Sequence, residues 1–259
     1  MDLGIQNKTA LVCASSQGLG FACANALARE GAHVFINGRN QERLDQAAAE
    51  IEDKTGARVQ SILADITTEQ GRQTLFNACP NPDILINNNA GPPPGQLSDW
   101  NHDVWIDALE ANMLAPILLI RGYVTGMRER KFGRIVNITS AMVKSPRPHM
   151  ALSTSARTGL TAFCKSLSFE VAVDNVTINN LLPERVDTPR QARLAERLMK
   201  LHQISYEEAR QRFINSIAAK RMGTPEEFAD ACAFLCSAQA GFISGQNLQL
   251  DGGSYPGLI

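Results

Sequence analysis

The run Ala14-Ser15-Ser16-Gln17-Gly18-Leu19-Gly20 carries the clearest chemical signal in the chain, because a short apolar stretch precedes it and an amphipathic stretch closed by Gly31 follows. A tight turn from strand to helix leaves backbone N–H groups unpaired and aims the positive helix end at one spot, which suits a pyrophosphate. Small residues at 18 and 20 let a phosphate and the neighbouring strand come close, and Ala14 is tolerable in such a turn if its φ stays negative. Further along, Ser140, Lys144, His149, Ser153 and Arg157 collect two hydroxyls, an amine, an imidazole and a guanidinium in one short stretch. An imidazole, with a pKa of about 6.5, can carry a proton at neutral pH. A guanidinium, with a pKa above about 12, anchors oxygen ligands and does not relay protons.

These residues need elements to hold them. Short apolar runs near 8–14, 33–37, 58–63, 83–88, 134–139, 176–181 and 247–250 read as strands,. Between them, helical periodicity covers 18–30, 41–54, 69–77, 100–127, 153–173 and 225–237,. Alternation of this kind predicts an α/β fold: one doubly wound, parallel, seven-stranded sheet with helices on both faces. The whole span 1–259 is expected to form a single domain, since undivided α/β domains of roughly 200–250 residues are common,. The proline-rich loop 91–95 follows a strand end, where such folds place ligands,. The polar stretch 188–221 interrupts the rhythm and reads either as a substrate lid or as a docked surface hairpin,.

Composition excludes several classes of partner. With 44% hydrophobic and 20% charged residues and a formal net charge of −1, the chain has no electrostatic reason to bind nucleic acid or an anionic membrane,. Its opening residues, MDLGIQNKTALVCA, lack a basic segment followed by a long apolar one, so neither export nor membrane insertion is expected,. The cysteines at 13, 23, 79, 164, 232 and 236 are scattered among apolar neighbours, which points to a reduced, cytoplasmic protein,. Cys232 and Cys236 share a helical face, but two soft ligands do not make a metal site, and no metal is expected,.

Taken together, the spaced motifs resemble the short-chain dehydrogenase/reductase family over almost the whole chain. The turn from Cys13 to Gly20 is similar to the family's glycine signature, with Ala14 in place of its first glycine. Asp65 and Ile66 in LADIT resemble its adenine contact, and Asn88-Asn89-Ala90-Gly91 reproduces its N-N-A-G. Asn112 and Ser140 stand where it carries an active-site asparagine and the catalytic serine. Pro183, Val186 and Thr188 in LLPERVDT resemble its nicotinamide-side loop, and SGQNLQLDGG its C-terminal strand. The resemblance implies a Rossmann fold with the dinucleotide held by residues 14–20, Arg39, Asp65, Ile66, Asn89, Ala90, Gly91, Arg157, Pro183, Val186 and Thr188. After the second strand, Gly38 leaves room and Arg39 offers a fork for a 2′-phosphate, which favours NADP(H) over NAD(H) unless Arg39 is merely a solvated helix-start residue. Glu184 replaces the family's glycine after Pro183, and reads either as a selector of cationic substrates or as a solvent-facing side chain,.

The family's catalytic tyrosine and the lysine one helical turn later have no counterpart. Ser153 and Arg157 stand at those positions, and the tyrosines at 123, 206 and 255 lie elsewhere. An unactivated hydroxyl is far less acidic than a phenol of pKa about 10, so Ser153 does not simply inherit the proton transfer. His149, Lys144, Tyr206 and His202 are the substitute carriers in reach by sequence. The expected activity is hydride transfer between NADP(H) and a small carbonyl or alcohol, resembling the 3-oxoacyl carrier-protein reductases, with Asn112, Ser140, Ser153 and Arg157 as the polar network. The rivals are a non-catalytic NADP(H)-binding sensor or scaffold and an enzyme of altered chemistry, elimination or isomerisation, with Ser140 and Arg157 holding an oxyanion. The long helices imply association as a homotetramer or homodimer, as in the family.

Overall fold

Successive side chains of a strand face opposite sides of a sheet, and here the two sides form separate cores. In the computed structural model, which describes residues 2–258, Ala10 and Val12 of β1 (Thr9–Val12) pack on one side and Leu11 on the other. The same division splits β4 (Ile84–Asn87) and β5 (Gly133–Ile138), with Ile86 and Val136 in the first core and Leu85 and Ile135 in the second. With β2 (His33–Gly38), β3 (Val59–Leu63), β6 (Val176–Pro183) and β7 (Asn247–Leu250), the described residues form a seven-stranded sheet in the order β3-β2-β1-β4-β5-β6-β7. Every pairing is parallel.

Parallel neighbours require crossovers, and these supply both outer layers. The first core is closed by α1 (Gly18–Arg29), α2 (Gln41–Thr55) and α9 (Pro225–Cys236), the second by α3 (Glu69–Ala78), α5 (Ala115–Glu129) and α6 (Ala151–Val171). Cys232 and Cys236 lie buried in the first core, and all six cysteines are free. No helix among the described residues is long and apolar enough to cross a membrane. Strand order reverses between β1 and β4, which opens a crevice at the carboxyl ends of those strands,.

Two features beneath that crevice lie outside the sequence expectations. Asparagines in register form a ladder across four strands, buried at Asn87, Asn137 and Asn180 and half-buried at Asn247: Asn87 donates to Asn137 (2.9 Å), Asn137 to Asn180 (2.9 Å) and Asn180 to Asn247 (2.8 Å). Each amide satisfies the next in a low-dielectric interior, so the ladder fixes the relative register of β4, β5 and β6 below the site. The expected single helix over 100–127 is instead α4 (His102–Leu109), a wide π turn (Glu110–Leu114) and α5. Single π turns of this kind concentrate at functional sites. Here the Ala111 carbonyl accepts a hydrogen bond from Asn89 Nδ2 (3.1 Å), which ties the turn to the end of β4.

The polar stretch over 188–221 folds into α7 (Pro189–His202) and α8 (Tyr206–Asn215), which enclose a small core of Ala195, Ala209 and Phe213. Its two ends are pinned to each other. Asp187 N donates to Gly223 O (2.8 Å) and Gly223 N to Arg185 O (3.1 Å), while Arg210 grips Asp187 through both carboxylate oxygens (3.0 and 2.7 Å).

Candidate active site

The turn between β1 and α1 is built around Ser15. Its hydroxyl donates to Val12 O (2.7 Å) and accepts from Asn37 N (3.0 Å), and its amide donates to Asn37 O (2.8 Å). Ser15 is therefore fully buried beneath the turn, and its side chain clamps β1 to β2 instead of touching a dinucleotide as expected. Ser16, Gln17, Gly18 and Leu19 line the cleft above it. Gly20 is buried behind them, where the helix meets the strand end.

Ala14 corrects another expectation: its φ is +45°, in the left-handed region that favours glycine. Hydrogen bonds hold it there, with Ala14 N donating to Asn37 Oδ1 (3.4 Å) and Asn88 Nδ2 donating to Ala14 O (3.1 Å). A left-handed L-residue costs about 1–2 kcal/mol and glycine's extra chain entropy about 0.5–1 kcal/mol. Ala14→Gly is accordingly expected to stabilise the fold by about 0.5–1 kcal/mol. A urea midpoint that moves up at unchanged slope would bear this out, and one that moves down would refute it.

One cleft of about 720 Å³ runs from the β2 end to the insertion, within the size range of cofactor sites,. At the β2 end it is lined by Gly38, Arg39, Asp65 and Ile66, together with Arg43, which sequence reasoning missed. The signal for Arg43 was its spacing of one helical turn from Arg39 across the Asn40 N-cap, whose side chain accepts from Arg43 N (2.9 Å). Arg39 reaches Asp65 at 3.4 Å, with the arginine side chain 68% exposed, a weak and screened pair,. Burial works against the Asp65 charge. Hydrogen bonds from the Thr67 amide and hydroxyl, and the Arg39 charge, outweigh it and hold the carboxyl below its ordinary pKa.

The middle of the cleft brings Asn89, Ala90 and Gly91 together with Ser140, Ser153, Arg157, Pro183, Val186 and Thr188. Ser140 is the N-cap of a short helical turn, Ala141–Val143, and its oxygen accepts from Met142 N (3.3 Å), which leaves its hydrogen available to a ligand. Ser153 and Arg157 lie one turn apart on α6, with Arg157 Nε donating to Ser153 Oγ (3.4 Å). The guanidinium also donates to Ile138 O (2.6 Å) and Asn89 O (3.3 Å). Burial, and then the nearby Arg190 charge, lower the Arg157 pKa to about 10, so it remains a cation at neutral pH. Asn112 is placed behind this group by the π turn. It reaches Ala108 O (3.4 Å) and Ala90 O (3.5 Å), and its Oδ1 is buried without a partner beside a cavity of about 10 Å³ that Asn89 and Arg157 also line.

Glu184 does neither of the things expected of it. Its side chain is only 9% exposed and pairs with Arg147, so its charge is neutralised within the cleft wall. Of the four substitute proton carriers, His149 lines the cleft, on an exposed loop position with φ +64°. Tyr206 packs against the small core of the insertion, Lys144 lies over the Tyr255 ring, and neither they nor His202 reach the cleft. The insertion does reach it, through Arg190, Arg193, Leu194, Arg197 and Leu198 of α7.

The strand order and the glycine turn at its switch point, in a cleft shared with hydroxyl and guanidinium groups, define a Rossmann-type fold with a candidate dinucleotide site,. A family model described as enoyl-(acyl carrier protein) reductase matches residues 13–255. Oxidoreductase YvaG of Bacillus subtilis is 34% identical over 258 residues, 98% of each chain. The NADPH-dependent reductase BacG of the same organism is 31% identical, over 98% of this chain and 100% of that one. L-sorbose reductase from Gluconobacter frateurii, in complex with NADPH and L-sorbose, superposes with a TM-score of 0.94 at 31% identity over 100% of both chains. The chain belongs to the short-chain dehydrogenase/reductase family.

Proposed function

We propose that the chain is an NADP(H)-dependent reductase of small carbonyl compounds, in which Ser153 and Arg157 occupy the positions of the family's tyrosine and lysine. The carrying observation is that one cleft joins the glycine turn and a pair of arginines at the β2 end to two hydroxyls with free hydrogens in its middle. The fit of a dinucleotide rests on the cradle itself: Gly18 has φ +64°, and a Cβ on Gly20 would come within 2.5 Å of Ala14 O. When bound, the dinucleotide supplies or accepts a hydride at the substrate carbon.

The backbone N–H groups of the turn at Gln17–Leu19 hold the pyrophosphate. Arg39 and Arg43 take the 2′-phosphate, for which Asp65 is a weak competitor. Arg157 anchors ribose oxygens and holds Ser153. Ser140 and Ser153 donate hydrogen bonds to the substrate oxygen, and His149 carries the proton between that oxygen and solvent. The insertion acts as a lid over the substrate, hinged at its pinned ends. Six free cysteines support a cytoplasmic enzyme,. Exposed Ile106 on α4 and Phe169 on α6 support a homotetramer or homodimer,.

Calorimetric titration with NADPH and NADH tests the cofactor assignment. NADPH is expected to bind at least about tenfold more tightly, and Arg39→Ala to weaken NADPH by about tenfold while leaving NADH nearly unchanged. Equal affinities would remove the role of Arg39, and binding of neither cofactor would end the reductase reading.

A further inference from the structure

The part of the cleft beneath α7 is lined by arginines without carboxylate partners. Arg190, Arg193 and Arg197 follow one another at spacings of three and four, so they share one face of the helix, and all three line the cleft,. Arg190 also joins the catalytic cluster. A Cβ placed on Gly91 would lie 3.3 Å from Arg157 Nη2, 3.4 Å from Arg190 Nη2 and 3.5 Å from Ser153 Oγ, so two guanidinium groups and a hydroxyl converge on one backbone position.

The cleft holds little to offset this charge. Among the described residues its carboxylates are Asp65 and Glu184, and these pair with Arg39 and Arg147. Arg157 and Arg190 donate to the backbone carbonyls of Ile138, Asn89, Gly91 and Pro92, while Arg193 and Arg197 have no hydrogen-bond or ion-pair partner among the described residues. Burial lowers the Arg190 pKa, and the neighbouring Arg193 charge lowers it further, which is the signature of cations held together without a counter-ion,. The dinucleotide does not supply one in the proposed mode, since its phosphates fall to the glycine turn and to Arg39 and Arg43.

We propose that the substrate is itself an anion: its carbonyl oxygen lies on Ser140 and Ser153, and a carboxylate or phosphate on the same molecule is held by Arg193 and Arg197, with Arg190 between the two ends. This rests on the reductase reading and specifies its substrate class. It also gives the lid an electrostatic reason to close, because the anion neutralises the face of α7 that lies over the cleft. The same positive field favours the oxyanion that forms as hydride adds to the carbonyl carbon, which eases the demand on a proton donor at a site without a phenol.

The test uses the NADPH-saturated protein and probes in matched pairs: 4-oxopentanoate against its methyl ester, and dihydroxyacetone phosphate against dihydroxyacetone. Calorimetry is expected to give each anion at least about tenfold tighter binding than its neutral partner. In the Arg193→Gln/Arg197→Gln variant, which alters exposed positions, that preference falls below about twofold while NADPH affinity is kept. The tighter of the two anions assigns the group as carboxylate or phosphate. Equal binding of anions and neutral partners, no anion binding at millimolar concentration, or a preference that survives in the double variant would overturn the proposal with the reductase reading intact. Failure to bind NADPH would overturn both.

Discussion

Ser140→Ala is expected to lower turnover by about 10²–10³ while NADPH affinity changes less than twofold, since removal of one donor to a developing oxyanion typically costs about that much. The reason lies in how the hydroxyl is held. Its oxygen accepts from Met142 N, which fixes the rotamer and leaves the hydrogen to the substrate in the proposed mode. In the proposed mode Ser153 is the second hydroxyl on the substrate oxygen, and it is already oriented by Arg157 Nε. Loss of the cap on the Ala141–Val143 turn costs about 1 kcal/mol of stability, too little to unfold a domain of this size,. The loss should therefore appear in kcat, with KM almost unmoved, because the bond strengthens as charge develops on the oxygen. Unchanged turnover of a reduced carbonyl would remove Ser140 from the mechanism.

The sequence made the sheet legible because burial on both faces forces near-continuous apolar runs, and each expected strand is present in the fold,. The glycine turn was legible for a related reason: close approach of backbone to backbone admits few residue types. What remained hidden depends on partners distant in sequence. The asparagines at 87, 137, 180 and 247 read singly as polar interruptions of apolar strands, and only the register of four strands turns them into a ladder. The π turn at Glu110–Leu114 was hidden because α4 and α5 each obey helical periodicity separately, and one extra residue between them only shifts its phase. The arginines of α7 were not singled out, since sequence does not reveal which side of an inserted helix lies over a cleft. Glu184 was misread because its partner, Arg147, comes from the loop before α6.

Gly20→Ala is expected to weaken NADPH binding by at least about 100-fold and to cost the fold about 1–3 kcal/mol, the usual range for overpacking. The added methyl would lie 2.5 Å from Ala14 O and 2.9 Å from Ser15 Cα, both backbone atoms, and 2.9 Å from Asn88 Nδ2. None of these can move alone. Ala14 is bonded to Asn37 and Asn88, and Ser15 to Val12 and Asn37, so relief requires α1 to lift off the end of β1. That movement would spread the N–H groups assigned to the pyrophosphate in the proposed mode. Gly18→Ala provides the control, because a Cβ there meets nothing closer than Thr188 Cβ at 4.0 Å and the cost is the left-handed conformation alone, about 1–2 kcal/mol,. Thermal melts separate any folding defect from binding. If the two variants lose NADPH affinity equally, close packing of helix on strand is not what shapes the cradle; a far larger loss in Gly20→Ala would mean that the approach of α1 to β1, more than glycine flexibility, creates the phosphate site.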